Sequence, residues 1–499
     1  MNDMTPTANV QMRGPFHSLR DYVAALEARG RLVRIPEMDQ DRYEATAFAY
    51  ALIDKKGYYG APAFLIERVK MDGQWVEGPV IANLYGGWDT EALAYGVEEI
   101  TDDQNAMFRA ARQKLVDLHN KNGGWPLVPP APGDAEHAPC KEIKLDGDDI
   151  DLMSFPFLKS NPGDGGRYIN SACVFFEDPH LGRNVGTYRC QVKGARKIGV
   201  NTEVGQHGFR FIMKAKKQGA KSVSAALALG CDPIVFGLSA SKVTGFGEDE
   251  LAVAGGLRGA PVELVKCETS DILVPANAEM IIEGEIPTDA MEEEGPYGEV
   301  YGFMGLKKPK NFFMDVKAVT HRRDPWFINS FAGVTKLVHT MPTNAGDFVK
   351  IKKMIPSLTD FYAPGEMIGV VVAAIDKIRP GEGMSVGQLI ASTRFLSKVV
   401  IVVDSDVDVL NLSDVMAAVG ARWQPYPASL LIHQTSGMPL DPSCPTRGMT
   451  SKIVIDATRQ LPDEGGPAVW PPISKTLLKE QAPDAFDLVA EKWDGYGVK

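Results

Sequence analysis

INSACVFFEDPHLGRNVGTYRCQVKGARKIGVNT, residues 169–202, decides the fold class. Its runs 169–177, 184–194 and 195–202 are rich in β-branched and aromatic residues and read as consecutive strands. The same texture continues through VELVKCETSDILV (262–274), AEMIIEGEI (278–286) and NFFMDVKAVTH (311–321). Helices are expected in this region only near 208–219 and 249–259. Many strands with short turns and few helices predict a barrel or sandwich rather than a doubly wound sheet.

Outside this stretch the pattern turns to alternating helix and strand. HSLRDYVAALEAR (17–29) places Leu19, Tyr22, Val23 and Leu26 on one helical face. RLVRIP (31–36), APAFLIERV (61–69) and PVIANLYG (79–86) read as strands, and 43–55 and 104–120 as helices. WPLVPPAPGDAEHAP (125–139) has no periodicity and reads as a crossing between domains. Farther on, 344–355 and 385–396 read as helices and 367–375 and 398–404 as buried strands. Asn411 or Ser413 caps a helix ending near Val419, and a last helix lies near 484–492. The expected organisation is α/β multi-domain. An N-terminal α/β domain covers 1–125, a central barrel-like domain 126–335, and a C-terminal α/β domain 336–499.

The 499 residues carry 64 acidic against 53 basic side chains, a net charge of −11. Nucleic acid is therefore excluded as the main partner, because phosphate binding needs a basic surface. No stretch approaches the ~18 apolar residues that span a bilayer, and the first 16 residues lack an apolar signal core. A cytoplasmic location is the expectation. The six cysteines (140, 173, 190, 231, 267 and 444) form no CxxC pair and read as reduced thiols.

Four stretches carry chemistry. In MEEEGPYGEVYG (291–302) a Gly-Pro turn lets Glu294 and Glu299 converge, and paired carboxyls in different surroundings can divide ionised and proton-donating roles. A solvated acidic turn is the alternative, and Glu292 and Glu293 read that way. In GRNVGTYRCQVKG (182–194), an uninterrupted strand puts Arg183, Val185, Thr187 and Arg189 on one face and Asn184, Gly186, Tyr188 and Cys190 on the other. An arginine there can grip a carboxylate with two bonds, or form a surface pair of little value. In GQHGF (205–209), His207 at a helix start is biased towards its neutral, metal-binding form, or is structural. In SASKVTGFGEDELAVAGGLRG (239–259), Ser239, Ser241 and Lys242 read as a loop able to cradle phosphate. One of Glu248, Asp249 and Glu250 can then ligate a metal, or all three simply open a helix.

Taken in order, NVGTYR, GQH, EDELAVAGGLRG, ELVKCETSDILVPANAE, EGEI and EGPYGE resemble the UbiD-like decarboxylases. NPGDGGRYINSACVFFEDP (161–179) and MPLDPSCPTRGMTSKIVIDAT (438–458) point to the hydroxyarylic acid branch. The resemblance runs from about residue 17 to the C-terminus. It implies a split β-barrel that binds prenylated FMN between two α/β domains, the last one oligomerising. It implies an Arg189, Glu294, Glu299 set in which Arg189 and Glu294 orient the substrate carboxylate and Glu299 is the general acid. A divalent metal (Mn2+, or Mg2+ or Fe2+) would fall to Asn184, His207 and Glu250. Thr187, Arg189, Gln206, Ser239 and Ser241 match flavin-contacting positions, and Leu238, Ser239 and Arg422 match a K+ site. A flavin-contacting lysine of ferulate-type members falls on Ser392, with Lys398 nearby, and the loop after Ser239 is one residue longer than theirs.

The function so implied is reversible, non-oxidative decarboxylation of an aromatic or heteroaromatic acid, with CO2 as product and a flavin prenyltransferase supplying the cofactor. A homodimer or homohexamer is implied too. Removing CO2 from an sp2 carbon leaves an electron pair that no side chain can accept, so a cofactor has to. A carboxylase subunit running the reverse reaction, a plain FMN oxidoreductase and a non-catalytic scaffold are the competing readings. No GxGxxG follows a strand to hold a nicotinamide. Val300, Tyr301, 331–335 and Phe395 are expected to wall the substrate pocket. His339 is read either as a contact to a ring substituent or as a core or surface residue.

Overall fold

The computed structural model describes residues 11–336, 338–394 and 396–497. They form two compact units. The first runs to Met354 and includes Ala363–Gly369 and Gln434–Thr450; the second comprises Ile355–Tyr362, Val370–His433 and the chain from Ser451.

The first unit opens with helix Leu19–Ala28, capped by Ser18 and buried through Leu19, Tyr22, Val23 and Leu26 as the periodicity requires. A four-stranded sheet follows in the order Leu32–Asp39, Ala63–Met71, Gln74–Ala82, Phe327–Asn329. Its last strand comes from far along the chain and pairs parallel with 80–82. The short helix Trp88–Ala94 was not anticipated; all seven of its residues are buried. The 125–139 crossing is pinned rather than loose. Val128 N–H donates to Ala252 O, and Ala131–Pro132 pairs with Glu263–Lys266.

The central sheet is antiparallel throughout its path. The order is Tyr168–Ile169, Cys190–Gly194, Lys197–Val200, Lys308–His321, Met280–Pro287, Ser222–Leu229, Ala172–Asp178, Gly182–Thr187. Ile143–Asp146 and Glu292–Glu294 also pair with 308–321. The connectivity shows how the sheet closes. Its first strand leads into its seventh through Asn170–Ser171 alone, and its last leads into its second through Tyr188–Arg189 alone. Two linking residues reach at most about 11 Å between the strand ends they join. The two edges therefore face each other, joined by chain and not by ladder bonds, which is a split barrel. The same break corrects the sequence reading of 182–194 as one alternating strand. The ladder stops at Thr187 and resumes at Cys190, so Arg189 stands in the split. The barrel and the N-terminal sheet share one core that includes Phe64, Ile66, Phe176, Leu227, Ile282 and Phe331.

A five-stranded sheet in the order Leu358–Tyr362, Val370–Ile375, Val399–Asp404, Met449–Asp456, Ser429–Ser436 belongs to the second unit except for 434–436 and 449–450, which count with the first. Val371, Val372, Ile390, Val400, Val402 and Val454 fill its core. Asn411 caps helix Leu412–Arg422 by accepting from the Ser413 and Asp414 N–H groups. Among the described residues no helix is long and apolar enough to cross a membrane.

Candidate active site

Arg189 is nine-tenths buried in the split and is shared by two carboxyls. Its Nε and Nη2 donate to Glu294 Oε1 and Oε2 at 3.1 and 2.9 Å, and its Nη1 donates to Glu299 Oε1. The ring of Tyr297 faces the guanidinium with its centroid 5.0 Å away. Glu294 receives a further hydrogen bond from the Tyr168 hydroxyl, 3.0 Å long. Burial holds the Glu299 carboxyl above its ordinary range, only partly offset by Arg189 and Lys308. One cation thus serves two acids in unequal surroundings.

The turn between the acids is built into the backbone. Gly295 has φ +82°, a conformation that favours glycine, directly after strand Glu292–Glu294. Segment 161–170 clamps the turn. Asp164 accepts from Gly298 N–H at 2.8 Å, Gly165 N–H donates to Pro296 O at 2.8 Å, and Asn170 Nδ2 donates to the Tyr297 hydroxyl at 3.2 Å. Gly333, at φ +75°, lets a second loop lie on this one: a Cβ there would come within 2.7 Å of Gly302 Cα and 2.8 Å of Glu299 O. As expected from sequence, Glu292 and Glu293 make outward ion pairs, with Lys197 and Lys307.

Asn184, Glu250 and the backbone next to His207 meet at one side chain, Tyr188. The Tyr188 hydroxyl accepts from the N–H of Gly208, the neighbour of His207, and Tyr188 feels both Asn184 and Glu250. Glu250 bridges to the neighbour of Asn184, accepting from Val185 N–H at 3.1 Å. His207 opens helix His207–Lys217 and Glu250 opens helix Glu250–Arg258. A divalent cation fits this set on two observations. Burial, with Arg210 and Lys242 nearby, lowers the pKa of His207 and favours its neutral form. Burial lifts the Glu250 carboxyl to about 7, and among the described residues it has no cation beside it. Among the described residues no three His, Cys, Asp or Glu side chains gather as a metal site, and an amide oxygen, as Asn184 carries, is a donor that suits a hard divalent ion.

The expected phosphate loop is corrected in part. Ser239 is the last residue of helix Pro233–Ser239, and its hydroxyl is engaged with Thr187 Oγ1 at 2.7 Å and Phe236 O at 2.7 Å. Ser241 donates to Leu238 O, and Gln206 accepts from Glu203 N–H. Thr187 and Ser239 are therefore brought together beside the candidate ligands, but their hydroxyls already bond each other. Of the expected walls, Phe331, Ala332 and Val334 line a cavity of about 20 Å³ with Tyr297, Gly298 and Asp164. Phe395 lies outside the described residues. Of the two readings of His339 the structure favours the core. It is fully buried, 3.8 Å from the Tyr85 ring and 3.7 Å from Glu91. Ser392, Lys398 and Arg422 belong to the second unit, where Arg422 pairs with Asp404 and Asp406.

Sequence reasoning missed Tyr168, Asp164 and the Lys308–Glu203 pair, with Arg447 on Glu203 at 2.7 Å. The one available signal was the match of 161–179 to a decarboxylase stretch, which carried no role for a particular residue.

The chain matches three family models, described as the N-terminal, Rift-related and C-terminal domains of 3-octaprenyl-4-hydroxybenzoate carboxy-lyase, at residues 23–109, 133–335 and 341–457. It is 32% identical to the phenolic acid decarboxylase of Sedimentibacter hydroxybenzoicus, over 93% of this chain and 99% of that one. It is 30% identical to the phenolic acid decarboxylase of Bacillus subtilis, over 95% and 99%. Among solved structures, the vanillic acid decarboxylase of S. hydroxybenzoicus in its closed form superposes with a TM-score of 0.80 at 28% identity, covering 94% of this chain and 99% of that one. The UbiD-class enzyme HmfF of Pelotomaculum thermopropionicum, solved with FMN, gives 0.76 at 30% identity, covering 92% and 98%. A relative 32% identical along nearly its whole length, on the same three-domain mixed α/β fold, places the chain in the UbiD family of carboxy-lyases.

Proposed function

We propose that the chain carries out reversible, non-oxidative decarboxylation of an aromatic or heteroaromatic carboxylic acid, using prenylated FMN and a divalent metal. A phenolic acid is the favoured substrate, on the strength of the two phenolic acid decarboxylases that resemble it along nearly their full length. The observation that carries the reading is the unequal sharing of Arg189. Glu294 holds Nε and Nη2, whereas Glu299 holds only Nη1. A substrate carboxylate competes with Glu299 for Nη1, because a guanidinium binds carboxylates through its fork. Losing that contact leaves Glu299 in burial without its cation, which favours the protonated form. Glu299 then delivers its proton to the ring carbon that CO2 vacates. Prenylated FMN, when bound, supplies the electron sink that no side chain provides. Asn184, His207 and Glu250 would hold the metal, with Thr187, Gln206, Ser239 and Ser241 near the cofactor.

Co-expression with a flavin prenyltransferase, followed by mass spectrometry of the small molecule released on denaturation, tests the cofactor. Prenylated FMN, and CO2 release from members of a phenolic acid panel, is the expected result. Plain FMN or no flavin, with the prenyltransferase shown to be active, would sink the proposal. His207→Ala should lose metal and flavin together.

A further inference from the structure

We propose that Tyr168 decides which of the two glutamates carries the proton: its hydroxyl bond to Glu294 commits that carboxyl to Arg189 and leaves Glu299 as the acid. The inference rests on the reading of Glu299 as proton donor and deepens it.

Two carboxyls on one guanidinium are chemically alike until something breaks the symmetry. Among the described residues Glu294 receives three donors, namely Arg189 Nε, Arg189 Nη2 and Tyr168 Oη, the last lying closer to Glu294 Oε1 (3.0 Å) than to its other acceptor, Pro296 O (3.3 Å), while Glu299 receives only Arg189 Nη1. Glu294 has three of the roughly four acceptor sites of a carboxylate occupied by donors, whereas Glu299 has one, so the open acceptor sites lie on Glu299. Tyr168 is placed to do this by the fold. It begins the edge strand Tyr168–Ile169 at the split, and its N–H donates to Leu158 O. Its ring lies 4.4 Å from that of Tyr297, whose face covers Arg189. Among the described residues, the main charged and titratable groups facing the pair are these. Glu294 faces Arg189, Tyr168 and the buried thiol of Cys190. Glu299 faces Arg189, Lys308, Tyr297 and Glu294, and Lys308 is itself engaged by Glu203. Asp164 faces Tyr168 and Tyr297 but spends its oxygens on the Gly298 and Asn161 N–H groups.

The test is infrared titration of the carboxylic-acid carbonyl band in the full-length protein without substrate, alongside the pH–rate profile of the holoenzyme. The wild-type spectrum minus that of Glu299→Gln should isolate the Glu299 band from those of other buried carboxyls, Glu250 among them. Tyr168→Phe keeps the ring on Tyr297 but drops the donor. A second band should appear, and Glu294→Gln added to Tyr168→Phe should abolish it. A hydrogen bond to a charged group shifts an equilibrium roughly ten- to a hundredfold, so kcat should fall by a factor in that range, with KM changed less. The alkaline limb of the profile should move as well. An unchanged set of acid bands and an unmoved limb in Tyr168→Phe would overturn the proposal. If Tyr168→Phe does not fold, fluorotyrosine at position 168, a stronger donor of similar shape, must shift the titration of the Glu299 band; no shift overturns it equally. Should wild type turn over no aromatic acid, the functional reading fails while the band assignment still judges the placement of the proton.

Discussion

At the scale of single residues, the division of labour on Arg189 makes two predictions. The first concerns Glu299, whose carboxyl burial holds above its ordinary range. A general acid must hold its proton, so kcat should fall as pH rises through that raised value. Glu299→Gln should keep flavin and metal but lose about 10²–10⁴-fold in turnover, and its residual rate should lack the alkaline limb. The sign for stability runs the same way. The folded state binds this proton more tightly than the unfolded chain does, so the contribution is complete at low pH and is lost as pH rises through the folded value. The second concerns Arg189 itself. Arg189→Ala leaves two buried carboxyls with no cation between them, and breaking a buried pair costs about 3–5 kcal/mol, to be read from denaturant unfolding. A loss below about 1 kcal/mol, the scale of an exposed ion pair, would mean that the pair is screened as a surface pair is. Arg189, Glu294 and Glu299 were singled out from sequence through the family resemblance, because the turn alone reads as well as a solvated acidic turn and the arginine alone as a surface pair. Tyr168 was not, because a tyrosine in an apolar strand looks the same whether its hydroxyl meets water or a buried carboxyl.

At the scale of elements, what the sequence hid was where regular structure breaks. Alternation across 182–194 is continuous in composition, so nothing local announces that the ladder stops after Thr187 and leaves Arg189 in the split. Helix Pro233–Ser239 was hidden for a related reason. PIVFGLS is a short apolar run that periodicity cannot assign, and it is the cap that makes it a helix. Asp232 Oδ1 accepts from the Ile234 and Val235 N–H groups, while Oδ2 receives Arg258 Nη1 at 2.9 Å, both side chains being 4% exposed. The pair ties the end of helix Glu250–Arg258 to the start of the helix that carries Ser239. Asp232→Ala removes cap and ion pair together and should destabilise by about 3–5 kcal/mol. Asp232→Asn keeps an acceptor for the cap and loses only the charge, so it should recover about 1 kcal/mol of that loss. Equal losses for the two variants in chemical denaturation would assign the whole effect to the ion pair and none to the cap.

At the scale of the whole molecule, the chain passes between its two compact units after residues 354, 362, 369, 433 and 450. Such interleaving is hard to see in a sequence. The expected C-terminal domain reads as one continuous α/β pattern, yet Gln434–Thr450 counts with the first unit, where Arg447 reaches Glu203. Each unit nonetheless has its own sheet and its own apolar core, and elements with separate cores open separately when their shared contacts are few. Val402 is fully buried in the second unit and Ile282 in the barrel. Val402→Ala should cost about 2 kcal/mol, and Ile282→Ala about 2–5 kcal/mol. In calorimetry the first should lower one unfolding transition and the second the other. Loss of the second unit would also free both ends of Gln434–Thr450 and with them the Arg447 contact, so turnover should disappear at the transition that Val402→Ala moves. A single transition lowered by both variants would show instead that the five crossings lock the two cores into one cooperative fold.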